Sequence, residues 1–260
     1  MTFLPSLIWW RRYLVNMRRP VALSAVPRSR PPERLMEDHA KRPSDGRPEA
    51  VDFYFYFDFS SPYGYFMAEK IDVIAARYSR RVTWRPVLLF AVLRALELPA
   101  PLEHPIKRAY MFADFERSAA FLGIDYQLPA SFPAVTQYAA RAFYLLAEQS
   151  HESAVHFAKT VLRAYWREGR QISDVQVIAK MMCEARGDEG VQVSENLPAA
   201  CDALRGEHAK TLLQMAIAGA VEQQVFGSPF VIVDGEPFFG VDRIGQIEKC
   251  LSGKSSIHES

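Results

Sequence analysis

The chain has 260 residues, 49% of them hydrophobic and 12% aromatic, which is enough apolar material for a domain-sized core. Thirty-one basic against thirty acidic side chains leave a formal charge of +1, so no global field recruits nucleic acid or an anionic membrane. Cys183, Cys201 and Cys250 lie far apart, without a C-x-x-C pair or a histidine at metal-ligand spacing, which excludes a zinc site and a disulfide framework and points to a reducing compartment.

Residues 1–50 differ from the rest. A short apolar start, Phe3 to Trp10, is followed by Arg11 and Arg12 and then by a Pro/Arg/Ser stretch from Pro20 to Pro48. A secretory signal carries its positive charge ahead of the apolar run, so the order is wrong for one. The composition suits a disordered or dispensable extension, with Met36 as an alternative start, or an organelle transit peptide. No run of about 18 apolar residues is present to cross a membrane. The expected location is the cytoplasm.

From Val51 the texture changes. Val-Asp-Phe-Tyr-Phe-Tyr-Phe-Asp-Phe has strong strand propensity and is closed by the turn Ser60-Ser61-Pro62. Pro62 suits the first position of a helix, where its missing N–H would have had no partner, and Tyr65, Phe66, Ile71 and Ile74 supply an apolar stripe behind it. Arg81 to Leu88 reads as a second strand, parallel to the first by the length of the crossover.

Between Leu89 and Glu222 the apolar spacing is helical, for example over Tyr138 to Leu146 and Ala154 to Trp166. Strand texture returns at Pro229 to Val233, with the turn Asp234-Gly235 and a partner strand Glu236 to Phe239, and a short helix closes the domain near residue 251. The predicted fold class is α/β, a thioredoxin-like fold with a large all-helical insertion. Its two halves cover about 51–88 and 223–251, the insertion about 89–222, and residues 252–260 form a tail.

The chemistry centres on Asp58 to Tyr65. A loop that feeds a helix start presents free backbone N–H groups and favours an anion, so a thiolate held there would have a lowered pKa, and the Ser61 hydroxyl could donate to its sulfur. The plain alternative is that Ser60 or Ser61 caps the helix. A Ser-His-Asp hydrolase lacks its G-x-S-x-G elbow, and none of the six histidines has a sequence tie to Ser61.

Phe57-Asp58-Phe59-Ser60-Ser61-Pro62-Tyr63-Gly64-Tyr65 resembles the opening motif of 2-hydroxychromene-2-carboxylate isomerases and kappa-class glutathione transferases, within the DsbA-like thioredoxin superfamily. Three later stretches resemble the family in the same order. They are Phe132-Pro133 with Ala139, Arg141 and Ala142; Ala164 to Gly169 with Ile172-Ser173-Asp174; and Val225 to Pro229, through Asp234-Gly235, to Gly240-Val241-Asp242-Arg243. The likeness runs from about Val51 to Leu251.

The resemblance implies glutathione as cofactor, Ser61 as the residue contacting its sulfur, and Pro229 as a cis-proline. A cis X-Pro bond would present the main chain of Ser228 to the cysteinyl part of the ligand. Asp242 would bind the γ-glutamyl ammonium or cap the last helix, and Arg243 and Arg141 are candidates to grip carboxylates. Trp166 and Phe239 read as packing aromatics. Two positions depart from the family pattern: Val135 replaces an asparagine and Gly64 a serine, each removing a polar group.

The implied activity is a glutathione-dependent isomerase of the 2-hydroxychromene-2-carboxylate type, acting on a small aromatic-derived substrate. A kappa-like transferase that conjugates glutathione to electrophiles is the alternative. Dithiol exchange would need cysteines that the loop lacks. A non-enzymatic binding module built on the helical segment is a further reading, and the family likeness implies a homodimer.

Overall fold

The computed structural model describes residues 53–253; the expected extension over residues 1–50 and the end of the tail fall outside them. Strand β1 (Phe53–Phe57) is the aromatic run, and β2 (Val82–Pro86) pairs with it in parallel, Phe55 opposite Trp84. Strand β3 (Phe230–Val233) pairs antiparallel on the other side of β1, and β4 (Glu236–Phe239) follows as a hairpin, giving the order β2-β1-β3-β4. The hairpin loop Asp234-Gly235 has φ values of 51° and 86°, the two positive values that a twist-matched two-residue turn requires.

β1 is central, which is why it can be aromatic at every position. Phe53, Phe55 and Phe57 are fully buried on one face, where Phe55 and Phe57 meet the edge of Trp84 at 5.0 and 5.4 Å. Tyr56, on the other face, joins a cluster with Phe230, Ile232, Val92, Ala220 and Val225.

Helices α1 (Pro62–Ala68) and α2 (Ile71–Arg77) connect β1 to β2. The sequence stripe from Tyr65 to Ile74 suggests one helix, and here the structure corrects it. Lys70 N–H turns back to the Met67 carbonyl at 2.9 Å, and the chain restarts as a second seven-residue helix. No glycine or proline marks this break, and the tight closing turn that makes it is invisible to apolar spacing.

The insertion holds seven helices among the described residues. They are α3 (Leu89–Ala95), α4 (Pro105–Leu122), α5 (Gln137–Ala147), α6 (His151–Trp166), α7 (Val175–Ala185), α8 (Val191–Arg205) and α9 (Glu207–Glu222). Helices α3 and α9 return to the sheet and cover the Tyr56 face. The single turn Val241–Arg243 leads into α10 (Ile244–Leu251), which packs on β3 from the opposite face, where α2 lies against β2. The architecture is the thioredoxin-like fold with a helical insertion that the sequence predicts.

Candidate functional site

β1 ends at Phe57, and the next four residues turn the chain into α1. Ser61 caps that helix: its Oγ accepts from the Gly64 N–H at 3.1 Å, and Pro62 takes the first helical position. Capping is only half of its engagement. The same hydroxyl donates to the main-chain oxygen of Ser228 at 2.9 Å, across 167 residues of sequence.

The Ser228–Pro229 bond is cis, as the resemblance implies for that proline. Pro229 in turn accepts from the Gly240 N–H at 3.1 Å, and the turn Val241–Arg243 packs against α1. Ser61, Ser228 and Pro229 therefore share one spot, with Asp242 and Arg243 on a turn beside it. Asp242 does not cap α10: its exposed carboxylate pairs with the Arg243 guanidinium, which also reaches Gln246 at 3.4 Å.

The other candidates lie elsewhere. Arg141 donates to the Leu204 carbonyl at 3.1 Å and lies over the Tyr138 ring, so α5 uses it to hold the end of α8. Burial draws its pKa down. Trp166 is fully buried and its Nε1 donates to the Phe59 carbonyl at 2.9 Å, which bolts α6 to the serine loop. Phe239 is not core: it is 49% exposed, meets Phe226 edge-on at 5.0 Å and covers Gly227 so closely that a Cβ there would overlap the ring.

The two departures have structural consequences. A Cβ at Gly64 would sit 2.9 Å from Ser228 Oγ and 3.2 Å from Ser61 Cβ, so the space a side chain would use is filled by the Ser228 hydroxyl. At Val135 the backbone carries the polar contact instead, its N–H donating to Ser173 Oγ at 3.0 Å.

Sequence reasoning missed the layer beneath the serines. Asp58 is buried, and its carboxylate accepts from Ser60 N–H and Thr136 Oγ1 at 2.9 Å each and from Leu89 N–H at 2.8 Å. Ser60 Oγ accepts from Ala134 N–H at 2.9 Å, beside the cis Phe132–Pro133 bond. An aspartate in an aromatic run is the signal that was there to be read, since a carboxylate is buried only with donors around it.

One side of the loop carries an aromatic wall. Tyr63 meets Phe115 of α4 edge-on at 5.1 Å, and Phe112 and Phe132 continue the contact. The Tyr63 hydroxyl donates to Asp114 at 2.6 Å, and burial together with that carboxylate pushes its phenol pKa well above the ordinary value. Tyr63 is thus a protonated hydrogen-bond donor at neutral pH.

All three cysteines are free and none belongs to this loop. Among the described residues no cluster of His, Cys, Asp and Glu could hold a metal ion, and no helix is long and apolar enough to cross a membrane. Ser61, not a thiol, faces the cis Ser228–Pro229 bond at the end of the sheet, and a hydroxyl cannot form a disulfide.

The chain belongs to the DSBA-like thioredoxin domain family, whose pattern matches residues 51–252. It is 28% identical over 199 residues to a 2-hydroxychromene-2-carboxylate isomerase of Sphingobium xenophagum, covering 76% of this chain and 96% of that one. It is 27% identical over 215 residues to the glutathione S-transferase kappa 2 of Caenorhabditis elegans, covering 76% and 90%. A solved 2-hydroxychromene-2-carboxylate isomerase has the same fold, with a TM-score of 0.67 at 23% identity over 78% of this chain and 95% of the other.

Proposed function

We propose that the protein is a glutathione-dependent isomerase of the 2-hydroxychromene-2-carboxylate type, working on a small aromatic-derived substrate in the cytoplasm. The observation that carries this reading is the Ser61 hydroxyl set against the Ser228 carbonyl beside cis Pro229, in a loop without a thiol at 61 or 64. The relatives supply the class: isomerases and a transferase whose names carry 2-hydroxychromene-2-carboxylate and glutathione.

The residues fit a cysteinyl peptide. A ligand amide N–H can donate to the Ser228 carbonyl, which now accepts from Ser61. Ser61 is then released to turn its O–H toward the sulfur while its Oγ keeps the Gly64 N–H, so ligand docking and sulfur stabilisation come together. The Asp242 carboxylate is open to the γ-glutamyl ammonium, and Arg243, already paired to it, is in reach of a carboxylate. Glutathione, when bound, supplies a thiolate that adds to a conjugated carbon and later leaves, turning a stiff double bond into one that rotates. Tyr63, Phe112 and Phe132 offer flat apolar surface to an aromatic substrate.

The kappa-like transferase reading uses the same residues and is favoured by the C. elegans relative. Product analysis separates the two. Incubation with a 2-hydroxychromene-2-carboxylate and reduced glutathione should give a glutathione-dependent spectral change with glutathione recovered whole. Stoichiometric loss of glutathione into an adduct marks a transferase, and no glutathione-dependent change with any such substrate overturns both.

A further inference from the structure

Asp58 touches both halves of the site. Its N–H donates to Ser228 Oγ at 2.9 Å and its carbonyl accepts from Ser61 N–H at 2.9 Å. Its carboxylate, 2.8 to 2.9 Å from three donors, ties the loop at Ser60 to the first residue of α3, Leu89, and to the cap position of α5, Thr136. Four stretches far apart in sequence meet at this one residue, three of them on its carboxylate and the Ser228 stretch on its N–H, and it is only 5% exposed.

Burial pushes the Asp58 carboxyl pKa up, while the Ser60 and Leu89 N–H groups and the Thr136 hydroxyl pull the other way. Tyr165, whose phenol is itself raised by burial, lies close enough for the two to interact. The carboxylate oxygens bond to Ser60, Leu89 and Thr136, and none bonds to the Ser61 hydroxyl, so Asp58 has no direct line to a sulfur held there. Its negative charge, three residues before Ser61, would by itself oppose a thiolate. Whatever it contributes must pass through geometry.

We infer that Asp58 is a positioning residue for the thiol site: it holds Ser61 and Ser228 in register with each other and with the first turns of α3 and α5. The inference rests on the reading of Ser61 as donor to the glutathione sulfur.

Asp58→Asn keeps the shape. Its amide oxygen can serve Ser60 and Thr136, but its NH2 then meets the Leu89 N–H as donor against donor. Thr136→Val removes a single donor and leaves the charge, a milder change should the first variant fail to fold. The measurements are glutathione affinity by calorimetry, the pH midpoint of thiolate absorbance in the bound state, thermal stability, and amide hydrogen exchange.

Asp58→Asn is expected to raise the bound thiol's pKa by about one unit, a tenfold change in the ionisation constant, although a nearby negative charge has been removed. Binding should weaken, exchange at Ser61 and Leu89 should accelerate while α6 stays protected, and Thr136→Val should move in the same direction by less. A fall in the thiol pKa would mean that charge and not placement is what Asp58 contributes. An unchanged pKa and affinity with a lower Tm would reduce it to scaffold, and either result overturns the inference. If wild type binds no glutathione, the functional reading fails by itself, and exchange at Ser61 in the variant still decides whether Asp58 places the loop.

Discussion

Replacing Ser61 with alanine separates capping from sulfur binding. The hydroxyl accepts from Gly64 N–H and donates to Ser228, so its loss removes a helix cap worth about 1 kcal/mol and one neutral cross-link. The effect on the bound thiol is of a different kind. A hydrogen bond to a charged group is worth about 1.5–3 kcal/mol, and each pKa unit corresponds to about 1.36 kcal/mol, so the thiol pKa should rise by about one to two units. Below both pKa values the thiolate fraction, and with it turnover, falls by about ten- to a hundredfold. The assay is glutathione titration at a series of pH values with ultraviolet absorbance read on the same samples, with Ser61→Thr as the variant that keeps the hydroxyl. Equal thiol pKa values in wild type and Ser61→Ala would refute the assignment of Ser61 as sulfur donor, whatever happens to stability.

Ser61→Cys should form a mixed disulfide with oxidised glutathione, visible as a mass increase, and should retain it because position 64 offers no resolving thiol. Gly64→Ala should cost about 1–3 kcal/mol through overlap with Ser228 Oγ, measured by denaturant unfolding, and Ser228→Ala in the same chain should recover part of it; additive losses would contradict the overlap. Tyr65 donates to the Asp125 carbonyl at 2.9 Å, and burial pushes its phenol up to about 12 from an ordinary value near 10. A raised folded-state pKa contributes stability that is present below pH 10 and lost as pH climbs toward 12, so Tyr65→Phe should flatten the alkaline fall in Tm over that window.

The elements most legible in the sequence are those whose signals are local. The Phe53–Phe57 run, the Pro62 helix start and the Asp234-Gly235 turn each depend on a few adjacent residues, and each element falls where that chemistry puts it. The break between α1 and α2 was hidden because no residue there disfavours a helix. Phe239 packs, as its place at a strand end suggests, but from the surface and not within the core, because a terminal aromatic can cover a glycine, as it does Gly227, without being buried itself. In the site, Ser61 and Pro229 stand out because a serine before a proline and a Ser-Pro at a strand start are recognisable patterns. The pairing of Ser61 with Ser228, and the convergence of Leu89 and Thr136 on Asp58, are tertiary facts. Periodicity carries no information about which hydroxyl faces which carbonyl.

The hydrogen bond between Ser61 and Ser228 also ties the site to the longest closure in the fold. β1 and α1 are built from neighbouring residues, but β3 follows the whole insertion in the chain, so its pairing with β1 closes the longer loop. Closing so long a loop is entropically costly and slow compared with forming local helices. A nascent or truncated chain that stops within α9 carries every residue of the serine loop and yet has no site. A ligand that bridges the two serines would therefore stabilise the pairing that closes this longer loop, and in a cell its binding would count only finished molecules.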